Sequence, residues 1–137
     1  MTAEEIEKKY DAAIAINVPE TKADALNLLA WQLRLLSQYD KATAICEEAL
    51  SVADACSSKD AAGKILNTLA NITADRGDIS NALKYFQQAI QNFEHSNDSY
   101  WLGAVLGNCG NIYKNLNEYN LALEYYHKAL SLYEKQG

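Results

Sequence analysis

The sequence has few of the residues that interrupt helices, with one proline, Pro19, and six glycines among 137 residues. Proline and glycine mark the turns of all-β folds and are unfavourable inside helices, so their scarcity favours long helices. Apolar residues make up 49% of the chain, which is enough to form a buried core. The composition therefore predicts one helical domain.

Clusters of basic residues and long apolar runs are also missing. The chain has 12 Lys and Arg against 18 Asp and Glu, a formal charge of −6, whereas nucleic acids and anionic membranes attract clustered positive charge. No apolar run approaches the ~20 residues that span a bilayer. The first ten residues, MTAEEIEKKY, are charged where a signal peptide would be apolar. We therefore expect a cytoplasmic protein that binds neither nucleic acid nor membrane.

Residues suited to chemistry are few and scattered. The three cysteines lack metal-ligand spacing, and two of them, Cys46 and Cys109, fall on apolar helix stripes where small core residues are expected. His95 and His127 lie in different hairpins of the pattern described below. No phosphate-binding glycine loop, Ser-His-Asp set or pair of catalytic carboxylates is evident. We expect no enzyme activity, no cofactor and no metal site.

The sequence does contain an internal repeat with a spacing of 40 residues. A shift of 40 places, without gaps, superimposes the chain on itself twice, and apolar or small residues then coincide. The clearest columns are Leu26/Leu66/Leu106, Leu29/Leu69/Cys109, Ala30/Ala70/Gly110, Ala42/Ala82/Ala122, Ala49/Ala89/Ala129 and Leu50/Ile90/Leu130. Such a repeat indicates a helical unit that must stack on its neighbours to bury its apolar faces.

Each copy of the repeat carries two helical stripes separated by a short polar break. The first stripe follows the i, i+3, i+4, i+7 pattern and the second starts about 16 residues later. The break contains Gly77 in copy two and Asn117 in copy three, residue types that tolerate a left-handed helix end. We predict three antiparallel hairpins over 22–58, 62–98 and 102–136. A leading helix is predicted over 3–18, ended by Pro19, either as half of an incomplete upstream hairpin or as an N-terminal cap.

The third copy carries the most complete motif. Its residues are Leu106, Cys109, Gly110, Tyr113, Tyr119, Ala122, Tyr126 and Ala129. The signature of the tetratricopeptide repeat (TPR) family places a bulky residue, then Leu-Gly or Leu-Ala, then Tyr on the first helix of a hairpin. On the second helix it places Ala, an aromatic residue and Ala. In this order of residues the chain resembles the TPR family. The resemblance implies an all-α, right-handed α-solenoid of three TPR hairpins plus one N-terminal helix, which acts as a scaffold binding a protein or peptide partner.

Two departures from the family pattern concern the length of the helices. The spacing of 40 exceeds the usual 34, and the second helices lack terminal prolines. Both features suggest long helices, as in kinesin-light-chain-like adaptors and bacterial regulatory proteins. The alternative function is accordingly a regulatory or oligomerisation segment of a larger bacterial signalling protein, such as a sensor kinase or nucleotide cyclase.

The end of the third hairpin leads to a further expectation. Repeat proteins need a polar capping helix at this place, and the sequence stops at Gly137 without one. We therefore expect either a piece of a longer protein or a homo-oligomer that packs through the uncapped C-terminal hairpin.

Candidate binding residues lie on the first helix of each hairpin, because these helices line the concave side of such a solenoid. The positions that do not face the core include Asp24, Leu35, Asp75 and Ala104. The remaining ten, which we take as the candidate binding residues, are Asn27, Trp31, Arg34, Lys64, Asn67, Asn71, Asn108, Asn111, Lys114 and Asn115. An asparagine side chain offers one acceptor and two donor hydrogens, so a row of asparagines can bracket the backbone of an extended peptide. Asparagine rows serve this purpose in several members of the TPR family.

Two alternatives remain open for these residues. The asparagines could be solvated or could bond to an adjacent helix instead of a ligand. Trp31 could anchor a ligand side chain, since aromatic residues are frequent at interface hot spots, or it could pack under the N-terminal helix.

Overall fold

Seven α-helices account for nearly all of residues 1–136, the part of the chain that the computed structural model describes. They are α1 (Ala3–Ile14), α2 (Pro19–Leu35), α3 (Tyr39–Ala55), α4 (Lys59–Asp75), α5 (Ile79–Ser96), α6 (Ser99–Asn115) and α7 (Tyr119–Gln136). Helices α2–α3, α4–α5 and α6–α7 pair as hairpins, and α3 packs on α4 as α5 packs on α6. This all-α solenoid of three hairpins preceded by one helix confirms the predicted fold class.

The helices begin at positions that repeat every 40 residues, but the first helix of each hairpin starts three residues before the predicted hairpin boundary. The difference arises because the prediction followed the apolar stripe, whereas α4 and α6 begin earlier, next to a polar capping residue. Ser58 Oγ accepts a hydrogen bond from the Ala61 N–H at 3.2 Å, and Asp98 Oδ1 accepts one from the Trp101 N–H at 3.1 Å. Pro19 begins α2, because its fixed φ suits a first helical position, and α1 already ends at Ile14.

All five junctions from α2 to α7 close in the same way. A residue with positive φ ends each helix: Ser37, Ser57, Gly77, Asn97 and Asn117. The N–H of the following residue then bonds to the carbonyl five residues back, as from Asp78 to Thr73 at 3.1 Å and from Glu118 to Tyr113 at 2.8 Å. The predicted left-handed residues of copies two and three are thus confirmed, and one turn geometry serves every junction.

Small residues form the contacts between the two helices of each hairpin. The six alanines of the repeating columns on α3, α5 and α7 are all buried: Ala42, Ala49, Ala82, Ala89, Ala122 and Ala129. Cys46 and Cys109 are buried as predicted, and burial raises the pKa of each thiol to about 12. Both thiols are therefore neutral packing residues at physiological pH. Within residues 1–136, no helix has the length and apolarity needed to cross a membrane.

We predict that Ala82→Leu lowers the free energy of unfolding by roughly 1–3 kcal/mol, because a larger side chain at this fully buried position overpacks the helix contact. The matched control is Ala12→Leu, the same substitution at an exposed position of α1. Urea unfolding followed by circular dichroism measures both variants. Equal midpoints for Ala82→Leu and the parent would contradict the assignment of this inner face.

Candidate functional site

Helices α2, α4 and α6 lie side by side along one face of the solenoid, and α4 contacts both of its neighbours. Their side chains enclose a pocket of about 500 Å³, here called the groove pocket. Its lining residues are Asp24, Asn27, Leu28 and Trp31 of α2, Lys64, Asn67 and Thr68 of α4, and Tyr100, Trp101, Ala104 and Asn108 of α6. Each helix thus presents one stripe at helical spacing to the same space.

Three asparagines lie in the groove pocket, and their hydrogen bonds differ. Asn108 Nδ2 donates to Asn67 Oδ1 at 2.8 Å, which links α6 to α4. Asn67 is itself buried. The Oδ1 atom of Asn27 is also buried, but it has no hydrogen-bond donor among the described residues. A buried acceptor without a donor costs free energy, so a side-chain rotation that brings this oxygen to an N–H group in the pocket would be favourable.

The two tryptophans of the groove pocket each lie under a cation. The Arg34 guanidinium is 4.6 Å from the centre of the Trp31 ring, and Lys64 Nζ is 5.5 Å from that of Trp101. Arg34 also donates two hydrogen bonds to the Asp75 carboxylate of α4, at 2.7 and 3.2 Å. These contacts hold the indole rings in place and leave the charge of Arg34 largely compensated.

Lys64 is compensated as well, by an acidic pair at the N-terminal ends of α4 and α6. Its Nζ lies 3.3 Å from Asp60 Oδ2. Burial raises the pKa of the Asp60 carboxyl, the neighbouring Asp98 raises it further, and Lys64 opposes the shift. Because the folded-state pKa is raised, the stabilising contribution of Asp60 is present below its unfolded-state pKa and is lost as pH rises through the folded value.

Five of the ten predicted binding residues line the groove pocket: Asn27, Trp31, Lys64, Asn67 and Asn108. Arg34 lies at the edge of the pocket, over Trp31. The structure therefore places Trp31 in the groove pocket. On the same helix it is Gln32 that contacts α1, where it accepts a hydrogen bond from Lys9 at 3.2 Å.

The other four predicted residues lie outside the groove pocket. Asn71 Nδ2 donates to the Asn67 carbonyl of its own helix at 3.0 Å, and Asn111 Oδ1 accepts from the Tyr126 hydroxyl. Lys114 and Asn115 are exposed at the end of α6. Four asparagines of α4 and α6 thus have partners within the chain, and only Asn67 and Asn108 of these four line the pocket.

Sequence reasoning missed Leu28, Thr68, Tyr100 and Trp101. Leu28 and Thr68 share a repeat column with Asn108, because positions 28, 68 and 108 are 40 residues apart. Only the asparagine of that column was predicted as a binding residue. Tyr100 and Trp101 belong to the first turn of α6, before the predicted start of the third hairpin. Extending the repeat columns regardless of residue type would have found Leu28 and Thr68.

The comparisons with known proteins agree with this arrangement of stacked hairpins. The architecture is that of a helical-repeat scaffold for protein interactions. Residues 21–94 and 61–135 match the tetratricopeptide repeat family, which covers most of the chain. The chain belongs to the tetratricopeptide repeat family. No curated protein matches its sequence.

Two solved structures are similar in fold. BtubC (BKLC) from P. vanneervenii is 20% identical with a TM-score of 0.77, over 95% of this chain and 54% of that one. Aspartyl phosphate phosphatase F from Bacillus subtilis is 23% identical with a TM-score of 0.81, over 98% of this chain and 35% of that one. At these identities the likeness concerns the fold, and this chain spans only part of either protein.

We predict that Asp98→Asn lowers the pKa of the Asp60 carboxyl toward the usual aspartate range, because it removes the neighbouring acidic group. Asparagine also caps helices well, so α6 keeps its cap. The measurement is an NMR titration of the carboxyl carbon. The control is Glu134→Gln on α7, which leaves the Asp60 titration unchanged, and an equal shift in both variants would refute the assigned cause.

Proposed function

We propose that this chain binds an extended segment of a partner protein in the groove pocket. The main support is the unpaired, buried Asn27 Oδ1 within a pocket of about 500 Å³. Ligand pockets in proteins commonly measure about 300–1,000 Å³ and combine apolar walls with a few convergent polar groups. In this pocket, leucine, tryptophan and tyrosine side chains form the apolar walls, and three asparagines supply the polar groups.

The arrangement of the amides suits an extended backbone. Asn27 and Asn67 occupy equivalent positions on adjacent helices, and the axes of packed helices lie about 8–10 Å apart. An extended peptide advances about 3.3 Å per residue, so neighbouring amides would meet it about three residues apart. The bond between Asn108 and Asn67 leaves one Asn67 lone pair and both Asn67 donor hydrogens unused. Asn27 would accept a peptide N–H, and Asn67 would donate to a peptide carbonyl.

The side chains of the groove pocket favour a segment with an apolar anchor. Trp31 and Leu28 on α2 face Tyr100 and Trp101 on α6 across the pocket, and buried aromatic anchors dominate many protein interfaces. Both nearby cations already have carboxylate partners, Asp75 and Asp60. The pocket therefore favours an apolar side chain flanked by peptide groups over a free carboxylate.

The role as a regulatory segment of a larger signalling protein remains a separate prediction. The groove supports the peptide-binding role more directly, because it contains an unpaired acceptor and two positioned indoles. Self-association concerns a different face of the molecule.

We predict that Asn27→Ala weakens peptide binding about tenfold, ~1.4 kcal/mol, because a hydrogen bond to the ligand is lost. Trp31→Ala should weaken binding further by removing the anchor. The probe is a peptide selected on the chain from a phage-displayed library, and its affinity is measured by isothermal titration calorimetry. Asn27→Ala should keep the thermal stability of the parent, since the removed acceptor is unpaired in the free protein.

The matched control is Asn115→Ala, the same substitution at an exposed position of α6 outside the pocket. It should leave the affinity unchanged. Equal affinities of Asn27→Ala and the parent, or equal losses in Asn27→Ala and Asn115→Ala, would place peptide binding elsewhere on the molecule.

A further inference from the structure

Helix α7 presents a row of large side chains with coiled-coil spacing. Steps of four and three residues separate its members on α7, and a leucine in the turn that precedes α7 adds a further exposed apolar side chain. The six residues, here called the α7 seam, are Leu116, Tyr119, Leu123, Tyr126, Leu130 and Tyr133. Five of them are exposed, by 46% for Leu116, 59% for Tyr119, 53% for both Leu123 and Leu130, and 39% for Tyr133. None of the six is charged, and contiguous exposed apolar surface of this kind marks interaction sites.

The equivalent row in the preceding hairpin indicates what this face does. Forty residues earlier, α5 carries Ile79, Leu83, Phe86, Ile90 and Phe93, and all five pack in the core that α6 covers. Phe93, for example, stacks on Trp101 of α6 with ring centres 6.0 Å apart. No helix within residues 1–136 covers the corresponding face of α7. Tyr126 and Tyr133 lie against Gly110 and Gly103 of α6, and the rest of the α7 seam has no covering helix among these residues.

The sequence of the seam is complementary to itself. When two copies of α7 run antiparallel, coiled-coil layers pair positions whose residue numbers have a constant sum. One register places Leu130 against Tyr119 of the second copy and Leu123 against Tyr126. Every layer then joins a leucine to a tyrosine, and the twofold axis repeats each layer once. This is the self-complementarity that a closed symmetric dimer requires.

The opposite end of the solenoid is unsuited to covering the seam. Helix α1 buries Ile6 and Ala13, and most of its exposed side chains are charged. These are Glu4, Glu5, Glu7, Lys8, Lys9 and Asp11, beside the exposed Ala3, Ala12 and Ile14. Packing the apolar seam on these groups would remove their hydration without providing partners. A head-to-tail stack of copies is therefore disfavoured relative to a tail-to-tail pair.

We propose that two copies of this chain pair through the α7 seam, with their α7 helices antiparallel, to form a symmetric dimer. The exposed parts of the six side chains provide roughly 500 Å² per copy, or about 1,000 Å² for the pair, which is the lower bound for a specific interface. We expect this dimer to be reversible, because interfaces at the low end of the size range belong mainly to weak or transient complexes.

Sedimentation equilibrium of the whole chain, from about 1 to 300 μM, tests this dimer. The parent should fit a monomer–dimer equilibrium, and Leu123→Glu should raise the dissociation constant at least tenfold, because it places charge in two layers. The matched control is Leu35→Glu, the same substitution at a 66% exposed leucine of α2, which should dimerise like the parent. Circular dichroism should show equal helicity in all three proteins, since both leucines are exposed. A parent that stays monomeric, or equal weakening by both substitutions, overturns the proposal.

Disulfide trapping tests the orientation in a Cys56→Ser background, which removes the exposed native thiol. Mixed chains carrying Tyr119→Cys and Leu130→Cys should cross-link on mild oxidation, because these positions share a layer. Each variant alone should cross-link poorly, since its two copies would lie about 16 Å apart along the helices. Efficient cross-linking of either variant with itself would show a parallel pair and overturn the antiparallel arrangement.

Discussion

The packing of α3 and of α5 between the first helices of two successive hairpins is the contact on which the rest of the structure depends. Phe93 illustrates it, because its ring lies against Gly63 of α4, where an added Cβ would come within 2.8 Å, and stacks on Trp101 of α6. The contact fixes the spacing of the first helices and thereby the width of the groove. Burial of such aromatic side chains contributes roughly 1.5–3 kcal/mol each, so the position of α6 is strongly determined.

Polar contacts between the first helices then shape the groove without controlling the fold. The Arg34–Asp75 ion pair and the Asn108–Asn67 hydrogen bond both join residues 41 positions apart, one on each of two adjacent first helices. Their consequence is local, because they hold Trp31 and the pocket amides in one arrangement, as the proposed binding role requires. Such preorganisation reduces the entropy that binding has to overcome. The scaffold and its recognition surface are thus stabilised by different kinds of interaction.

The groove pocket and the α7 seam are largely separate surfaces with different physical characters. The pocket combines amides with aromatic rings, whereas the seam has only leucine and tyrosine. Tyr100 lies next to both, since its ring is 5.9 Å from that of Tyr133. A dimer formed through the seam would carry two groove pockets, and a partner with two suitable segments would then bind with increased avidity.

The 40-residue period by itself determined the three hairpins, the buried alanine columns and the left-handed residues Gly77 and Asn117, because each depends on local backbone geometry or on the face of a single helix. It also identified, as candidate binding residues, five of the eleven residues that line the groove pocket. The tertiary structure alone decided that Asn71 and Asn111 bond within the chain while Asn27 keeps an unpaired acceptor, and that Arg34 pairs with Asp75. The physical reason is that periodicity specifies which face a side chain occupies, whereas a hydrogen bond requires two particular atoms to meet within about 3 Å.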